Sequence, residues 1–151
     1  MDNSRKCIRG EPVLTLPQSY FDQMIAHSLG EDPNECCGII AGKDDEATQL
    51  YRITNVDKSP YRYSMEPKEF FQAYREIEDK GWQIMVLYHS HTHTEARPSD
   101  TDIRLATGPD GGSTWPGTFY VVVSLADKGK PSVRAFTIED EVVDEHELVV
   151  I

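Results

Sequence analysis

Short apolar runs bounded by polar or turn-forming residues recur along the whole chain. Short runs rich in Val, Ile, Leu, Tyr and Phe are typical of β-strands. The run at 118–125 is the most hydrophobic, and the last run places acidic residues at its outward positions. The predicted strands cover residues 13–16, 35–41, 48–56, 83–90, 118–125, 133–138 and 142–151.

Three other segments repeat apolar residues at helical spacing. The first covers residues 17–30, and the second covers residues 67–80 and is ended by Gly81. The third covers residues 100–107 and is ended by Gly108 and Pro109. The apolar positions are Tyr20, Phe21, Met24, Ile25 and Leu29 in the first helix and Phe70, Phe71, Tyr74 and Ile77 in the second.

This order of elements predicts a mixed α/β fold, with one curved sheet and helices packed on it. The pattern alone does not give the strand topology. A chain of 151 residues is expected to form a single domain, 1–151, in which the polar residues 1–11 fray.

The formal net charge of −11, with no basic patch, argues against a nucleic-acid partner. No apolar run approaches the roughly 20 residues of a membrane span, and the N-terminus lacks a hydrophobic signal region, so we expect a cytoplasmic protein. Much of the acidic charge lies at 139–141 and 144–147. A solvated edge is favoured there over a surface that faces a partner.

The three cysteines, Cys7, Cys36 and Cys37, form no disulfide framework, which agrees with a reducing compartment. Adjacent residues on a strand point to opposite faces. Cys36 and Cys37 are therefore expected to be buried as small hydrophobic residues rather than to hold one ion together.

Candidate chemistry follows the apolar run 83–88, where His89 and His91 point to the same side of an extended chain. A carboxylate a short loop later, Asp102, can complete a three-ligand site. Two imidazoles and one carboxylate suit Zn²⁺ with its fourth position open to water, as in a hydrolytic site. Ser99 and Asp102 also have the spacing of a helix capping box, and the two interpretations can share these residues.

The spacing H-S-H-x7-S-x2-D over residues 89–102, together with E-C-C-G-I-I-A-G over residues 35–42, resembles the JAMM (MPN+) metalloproteases. Counting from His91 and His93 instead would land on Thr101 and Arg104, which cannot serve. The resemblance covers essentially the whole chain and is greatest to the bacterial Mec-type branch. It implies the MPN fold, a sheet rolled into a partial barrel between helices.

The resemblance also implies the roles of the site residues. One Zn²⁺ per chain would be bound by His89, His91 and Asp102. Glu35 would act as general base and acid, and the hydroxyl of Ser99 would stabilise the oxyanion. The implied substrate is the C-terminal tail of a small ubiquitin-like sulfur carrier of the ThiS/MoaD type. Cleavage after Gly-Gly would release cysteine or a short extension, in cysteine synthesis or in the assembly of a thio-containing metabolite.

An extended tail would need a sheet edge, and residues 56–65 are the candidate. An ordinary connection from strand to helix is an equal alternative there. We expect Tyr61, Tyr63 and Ser64 to contact the substrate. Trp115 is a further candidate contact, in a loop over 108–117 that is either a flap or a plain connection. His93 is expected to be exposed.

Two other functions stay open at this point. Other JAMM proteins act as isopeptidases that remove ubiquitin-like modifiers from proteins. The chain shows no long insertion for gripping a linked chain, which counts mildly against that activity. The second alternative is a metal-free MPN scaffold module, although such modules typically lose the motif residues that this chain keeps.

Overall fold

The computed structural model describes residues 12–151. Residues 1–11, which were predicted to fray and which contain Cys7, lie outside the described range. The chain forms, in order, β1 (Val13–Leu16), α1 (Gln18–Glu31), β2 (Cys37–Lys43), β3 (Glu46–Ile53), α2 (Pro67–Asp79), β4 (Gln83–His91), α3 (Asp100–Leu105), β5 (Phe119–Ser124), β6 (Ser132–Glu139) and β7 (Val142–Val150). Every predicted helix and strand is present, with ends that shift by up to three residues. None of the helices within the described range is both long and apolar enough to span a membrane.

The seven strands form one mixed sheet in the order β1-β7-β6-β5-β4-β2-β3. Strand β4 runs parallel to β5 and β1 runs parallel to β7, whereas the other pairs are antiparallel. Leu14 and Leu16 of β1 share one apolar cluster with Ala47 and Leu50 of β3. The sheet therefore curves until its two edge strands contribute to the same core, and it stays an open, partial barrel.

Two apolar clusters lie on opposite faces of this sheet. One packs under α1 and includes Met24, Cys36 and Tyr88, and the other packs under α2 and includes Cys37 and Ile77. The alternation of side chains along a strand produces this division. Cys36 and Cys37 are both buried free thiols, on different faces, as the sequence predicts.

The structure refines or corrects three of the sequence predictions. The acidic residues of β7 are exposed, as expected of a solvated surface, but β7 lies between β6 and β1 and is not an edge strand of the sheet. Phe71 was assigned to the inner stripe of α2, but it is 58% exposed, and Leu29 of α1 is also exposed. Both positions lie at the margin of an apolar stripe, where helical spacing alone does not decide which side chains reach the sheet.

The third correction concerns residues 56–65, which form a loop rather than an edge strand. The loop is closed at its base by a bridge between Asn55 and Met65 and by a hydrogen bond from the amide of Val56 to the carbonyl of Ser64, 3.0 Å. Its backbone groups are therefore partly used within the loop. The edge strand on this side of the sheet is β3, which ends at Ile53.

Candidate metal and catalytic site

The carboxyl end of β4 presents the two histidines of the motif. His89 lies opposite Cys37 in the β2 ladder, and Leu125 donates its amide to the carbonyl of His91, 2.9 Å. The histidines are 2% and 6% exposed. Because they are two residues apart on a regular strand, both imidazoles project from the same face of the sheet.

Asp102 reaches the histidines from the first turn of α3. Ser99 caps this helix by accepting the amide proton of Asp102 on its Oγ, 3.1 Å, and Asp102 Oδ2 accepts the amide proton of Ser99, 2.8 Å. The same Oδ2 lies 3.0 Å from His89 Nε2 and 3.1 Å from His91 Nε2. The capping box and the three-residue cluster are therefore one arrangement, because the cap fixes the carboxylate that faces the imidazoles.

The hydrogen bonding of His91 favours a cation at the centre of this cluster. Its Nδ1 donates to the carbonyl of Glu95, 2.9 Å, so a neutral His91 directs the lone pair of Nε2 towards the carboxylate of Asp102. Two lone pairs facing each other at 3.1 Å need a proton or a metal ion between them. Donation from the second ring nitrogen to a backbone carbonyl is also how metal-bound histidines are usually oriented.

The separations suit a small tetrahedral ion. His89 Nε2 and His91 Nε2 lie 3.2 Å apart, close to the two distances that each makes with Asp102. A tetrahedral Zn²⁺ with bonds of about 2.0–2.1 Å places neighbouring ligand atoms about 3.3–3.4 Å apart. The donor set and its spacing therefore fit Zn²⁺ with a fourth position left for another ligand.

The charges at the cluster support each other. Burial alone would raise the pKa of Asp102, but the charge of His89 and the hydrogen bonds of His89, His91 and the Ser99 amide hold that pKa well below its usual range. For His91, burial opposes protonation, yet the hydrogen bonds to Asp102 and to the Glu95 carbonyl raise its pKa overall. Without a metal ion, the cluster thus attracts a positive charge in the form of a proton.

Glu35 lies just before β2 and is 5% exposed. Burial raises the pKa of its carboxyl to about 8; the charge of His91 opposes this rise and that of Asp102 adds to it. In the sheet, Cys37 lies opposite His89, so Glu35, two residues before Cys37, comes towards the end of β4 that carries His91. A buried carboxyl whose pKa lies near neutrality can exchange a proton at ordinary pH, which is the requirement for a general base.

The loop over 54–66 covers one side of this cluster. The ring of Tyr63 stacks on that of His89, with centroids 4.5 Å apart and planes at 25°. Tyr61 is 78% exposed and stacks on the exposed His93, with centroids 5.9 Å apart. His93 is therefore exposed, as predicted, whereas Tyr63 is a packing partner of His89 in addition to lining the neighbouring pocket.

A pocket of about 420 Å³ opens next to Asp102. Trp115 forms one wall and packs against the rings of Phe70 and Tyr74, with centroids 6.0 Å apart in each case. Ser64 also lines this pocket. The remaining lining residues are Asp57, Arg62, Tyr63, Met65, Leu87, Thr101, Leu105, Ala106 and Tyr120.

The loop over 108–117, which carries Trp115, has hydrogen bonds of its own. Gly108 donates its amide to the carbonyl of Gly112, 2.6 Å, and Thr114 donates to the carbonyl of Ala106, 2.9 Å. The loop is therefore joined to the end of α3, and it places Trp115 beside the candidate site.

Sequence reasoning missed two contributors to the site. The backbone carbonyl of Glu95 orients His91, and no side-chain pattern marks such a group. The side chain of Asn55 bonds to the carbonyl of Glu35, 3.0 Å. An Asn beside a polar turn often bonds to backbone groups, and this signal was present at Asn55, although the predicted strand 48–56 included it.

Comparison with known proteins gives relatives of similar length. The CysO-cysteine peptidase of Mycobacterium tuberculosis (strain ATCC 25618 / H37Rv) is 36% identical over 141 residues, which cover 92% of this chain and 92% of that protein. The desampylase of Haloferax volcanii is 30% identical over 118 residues, which cover 74% of this chain and 80% of that protein.

Solved structures share the architecture. The solution structure of protein DSY2949 from Desulfitobacterium hafniense matches with a TM-score of 0.76 at 34% identity over 92% of each chain. AF2198, a JAB1/MPN domain protein from Archaeoglobus fulgidus, matches with a TM-score of 0.59 at 17% identity, over 92% of this chain and 98% of that one. A family model described as prokaryotic homologs of the JAB domain matches residues 17–139. The chain therefore belongs to this prokaryotic JAB family, within the JAMM/MPN fold.

Proposed function

We propose that this protein is a zinc-dependent peptidase that cleaves the C-terminal tail of a small ubiquitin-like sulfur carrier, of the ThiS/MoaD type, after Gly-Gly. The observation that carries the proposal is the convergence of ligand atoms from His89, His91 and Asp102, with the buried carboxyl of Glu35 just before the strand that pairs with β4. The kinship with a CysO-cysteine peptidase and with a desampylase supports the substrate class.

The residues of the cluster fit Zn²⁺ in number, type and spacing. Zn²⁺ held by His89, His91 and Asp102 would supply a Lewis acid that polarises the scissile carbonyl and lowers the pKa of a water molecule. Glu35 would take a proton from the attacking water and later deliver it to the leaving amine. A nearby cation favours the ionised carboxylate, so zinc is expected to lower the pKa of Glu35 from the value of about 8 set by burial.

Ser99 assists through its hydroxyl proton. Its Oγ already accepts the amide proton of Asp102, which fixes the oxygen at the start of α3. The hydroxyl proton stays available to donate to the substrate oxygen on which negative charge develops. Ser99 thus stabilises that oxygen without acting as a nucleophile.

The substrate tail lies extended beside Asp102, along the mostly apolar pocket walled by Tyr63, Phe70 and Trp115. Two glycines can pass close to the histidines because they carry no side chain that would collide with the rings of Tyr63 and His89. The leaving group is then cysteine or a short extension, and the carrier keeps its Gly-Gly end.

Mass spectrometry of intact carriers tests this function. Purified protein with zinc should remove the residues after Gly-Gly from an extended carrier, and a strong chelator should stop the reaction. Replacing the final glycine of the carrier by valine should slow cleavage sharply, and unfolded casein should be a poor substrate. Efficient cleavage of casein, or no cleavage of any extended carrier by the zinc-loaded protein, contradicts the proposal.

A second candidate is the release of ubiquitin-like modifiers from lysine side chains, and the desampylase relative favours it. The two activities differ only in the leaving amine. A carrier joined to a lysine side chain of a protein, compared with the same carrier extended by cysteine, separates them by their kcat/KM values. A metal-free scaffold would bind no zinc and would cleave neither substrate.

A further inference from the structure

Within residues 12–151, the carboxylate of Glu35 has neighbouring charges but no hydrogen-bond partner. A side chain without such a partner is directed only by its own backbone and by packing. The backbone of Glu35 is itself outside the strand ladder, because β2 begins at Cys37. Whatever holds this backbone therefore decides where the carboxylate points.

Two contacts from the loop over 54–66 replace the missing ladder bonds. The amide of Glu35 donates to the carbonyl of Ser59, 2.9 Å. The carbonyl of Glu35 accepts a proton from Nδ2 of Asn55, 3.0 Å. The side chain that makes the second contact is buried, since Asn55 is 9% exposed.

The amide of Asn55 uses its full hydrogen-bonding capacity. Nδ2 donates to the carbonyls of Glu35 and Arg62, at 3.0 and 3.1 Å. Oδ1 accepts the backbone amides of Asp57 and Ser64, both at 3.0 Å. Two donors and two acceptors are all that a carboxamide offers, and no other side chain of this size supplies both.

The same loop contacts the other half of the site. Tyr63 stacks on His89, and the carbonyl of Pro60 accepts a hydrogen bond from Oγ1 of Thr92, 3.1 Å. Asn55 therefore connects the segment before β2 to a loop that packs against His89 and Thr92 at the end of β4. The distance between Glu35 and the metal ligands depends on these hydrogen bonds of Asn55.

We propose that Asn55 is a positioning residue that sets the place of Glu35 relative to the His89–His91–Asp102 cluster through its bonds to the Glu35 carbonyl and the loop backbone. This inference rests on the function proposed above. It predicts a loss in the chemical step, with substrate and zinc binding largely retained. His91 and Asp102 are oriented by groups outside the loop, and the bond from the Ser64 amide beside Tyr63 is kept when the acceptor at position 55 is kept.

The test compares Asn55→Asp with Thr54→Val. Asn55→Asp keeps the shape and both acceptors but removes the donors to Glu35 and Arg62. We expect kcat to fall by about 10²-fold, as for a base displaced by about 1 Å, while KM and zinc affinity stay within about threefold of the wild type. Asn55→Ser, which is neutral, should give a loss of the same order, which excludes the added charge as the cause.

Thr54→Val is the matched control at the base of the same loop. It removes the bond from Oγ1 to Glu69, 2.8 Å, and keeps the bond from the Thr54 amide to the other carboxylate oxygen, 2.7 Å. We expect lower thermal stability but a kcat within about threefold of the wild type. An equal fall in kcat for both variants would mean general loosening of the loop and would overturn the inference.

The double variant with Glu35→Gln tests whether Asn55→Asp lowers kcat through Glu35. If Asn55 acts through Glu35, Asn55→Asp causes little further loss in a Glu35→Gln background. Multiplicative losses, or a change confined to KM, would overturn the positioning role.

A readout without substrate separates this inference from the proposed function. Hydrogen exchange of the Glu35 amide, followed by NMR, should accelerate in Asn55→Asp and stay slow in Thr54→Val. Unchanged exchange in Asn55→Asp would overturn the inference even in an active enzyme. Failure of the zinc-loaded wild type to cleave any carrier would instead remove the proposed function, and the exchange result would still stand.

Discussion

The ring of Tyr63 lies on the ring of His89, with centroids 4.5 Å apart and planes at 25°. Tyr63 comes from the loop between β3 and α2, whereas His89 lies near the carboxyl end of β4, so this contact joins two distant parts of the chain. Stacking restricts rotation of the imidazole and shields one of its faces from water. It thereby directs Nε2 towards His91 and Asp102.

Removing the Tyr63 ring should therefore weaken metal binding. Tyr63→Ala is expected to lower zinc affinity by about tenfold, in the range found when groups that orient metal ligands are lost. Tyr63→Phe keeps the ring and should bind zinc as the wild type does. Competition with a chromophoric chelator measures both affinities, and equal binding by the alanine and phenylalanine variants would show that stacking does not orient His89.

Zinc content provides a direct check of the three ligands. Metal analysis of the purified wild type should give about one equivalent per chain. His89→Ala and Asp102→Ala should each lose the metal and the activity. His93→Ala serves as the control, because His93 is exposed and pairs with Tyr61 outside the cluster. A zinc-free wild type that works in strong chelator would exclude the site.

Glu35→Gln should separate chemistry from metal binding. The amide keeps the shape of the side chain but cannot accept a proton from water, so turnover should fall by about 10²-fold or more. Zinc content should stay at the wild-type level, since Glu35 is not one of the three clustered ligands. Near-normal turnover in this variant would assign the base to another group.

The sequence predicts local parts of this site well. His89 and His91 lie on one face because any strand alternates its side chains. Ser99 and Asp102 come together because a helix start has a fixed spacing between its cap and its third residue. In both cases, only a few consecutive residues decide the geometry, and the structure has these residues where the pattern predicts them.

Contacts between distant segments could not be predicted in this way. The stacking of Tyr63 on His89 and the bond from Asn55 to Glu35 depend on how the loop over 54–66 folds back on the sheet. That loop was a candidate edge because an extended tail needs one, with an ordinary connection as the equal alternative. Instead of pairing with a strand, the backbone amides of Asp57 and Ser64 in this loop donate hydrogen bonds to the side chain of Asn55.

The raised pKa of Glu35 predicts a pH-dependent stability in the metal-free protein. The carboxyl has a pKa near 4.5 when unfolded and about 8 when folded. Its contribution to folding is therefore complete below about pH 4.5 and is lost as the pH rises towards 8. Thermal unfolding in chelator should show the wild type losing stability relative to Glu35→Gln across this window. Saturating zinc should reduce the difference, because a nearby cation favours the ionised carboxylate.

His27 predicts an effect of the opposite sign, on the other face of the sheet. Its Nδ1 lies 2.7 Å from the hydroxyl of Tyr88, and the side chain is buried. Burial, with a smaller effect from the charge of Arg52, lowers its pKa from 6.5 to about 4. The unfolded chain thus takes up a proton at a higher pH than the folded protein does.

The stability that neutral His27 provides is complete above about pH 6.5 and is lost as the pH falls towards 4. His27→Gln retains a polar partner for Tyr88 but cannot titrate. The free energy of unfolding of the wild type should therefore fall faster than that of His27→Gln over this range, by at most about 1.4 kcal/mol per pH unit. Urea unfolding at several pH values between 4 and 7 measures both slopes. Parallel slopes would show that His27 titrates equally in the folded and unfolded chains, and that its contact with Tyr88 does not keep it neutral.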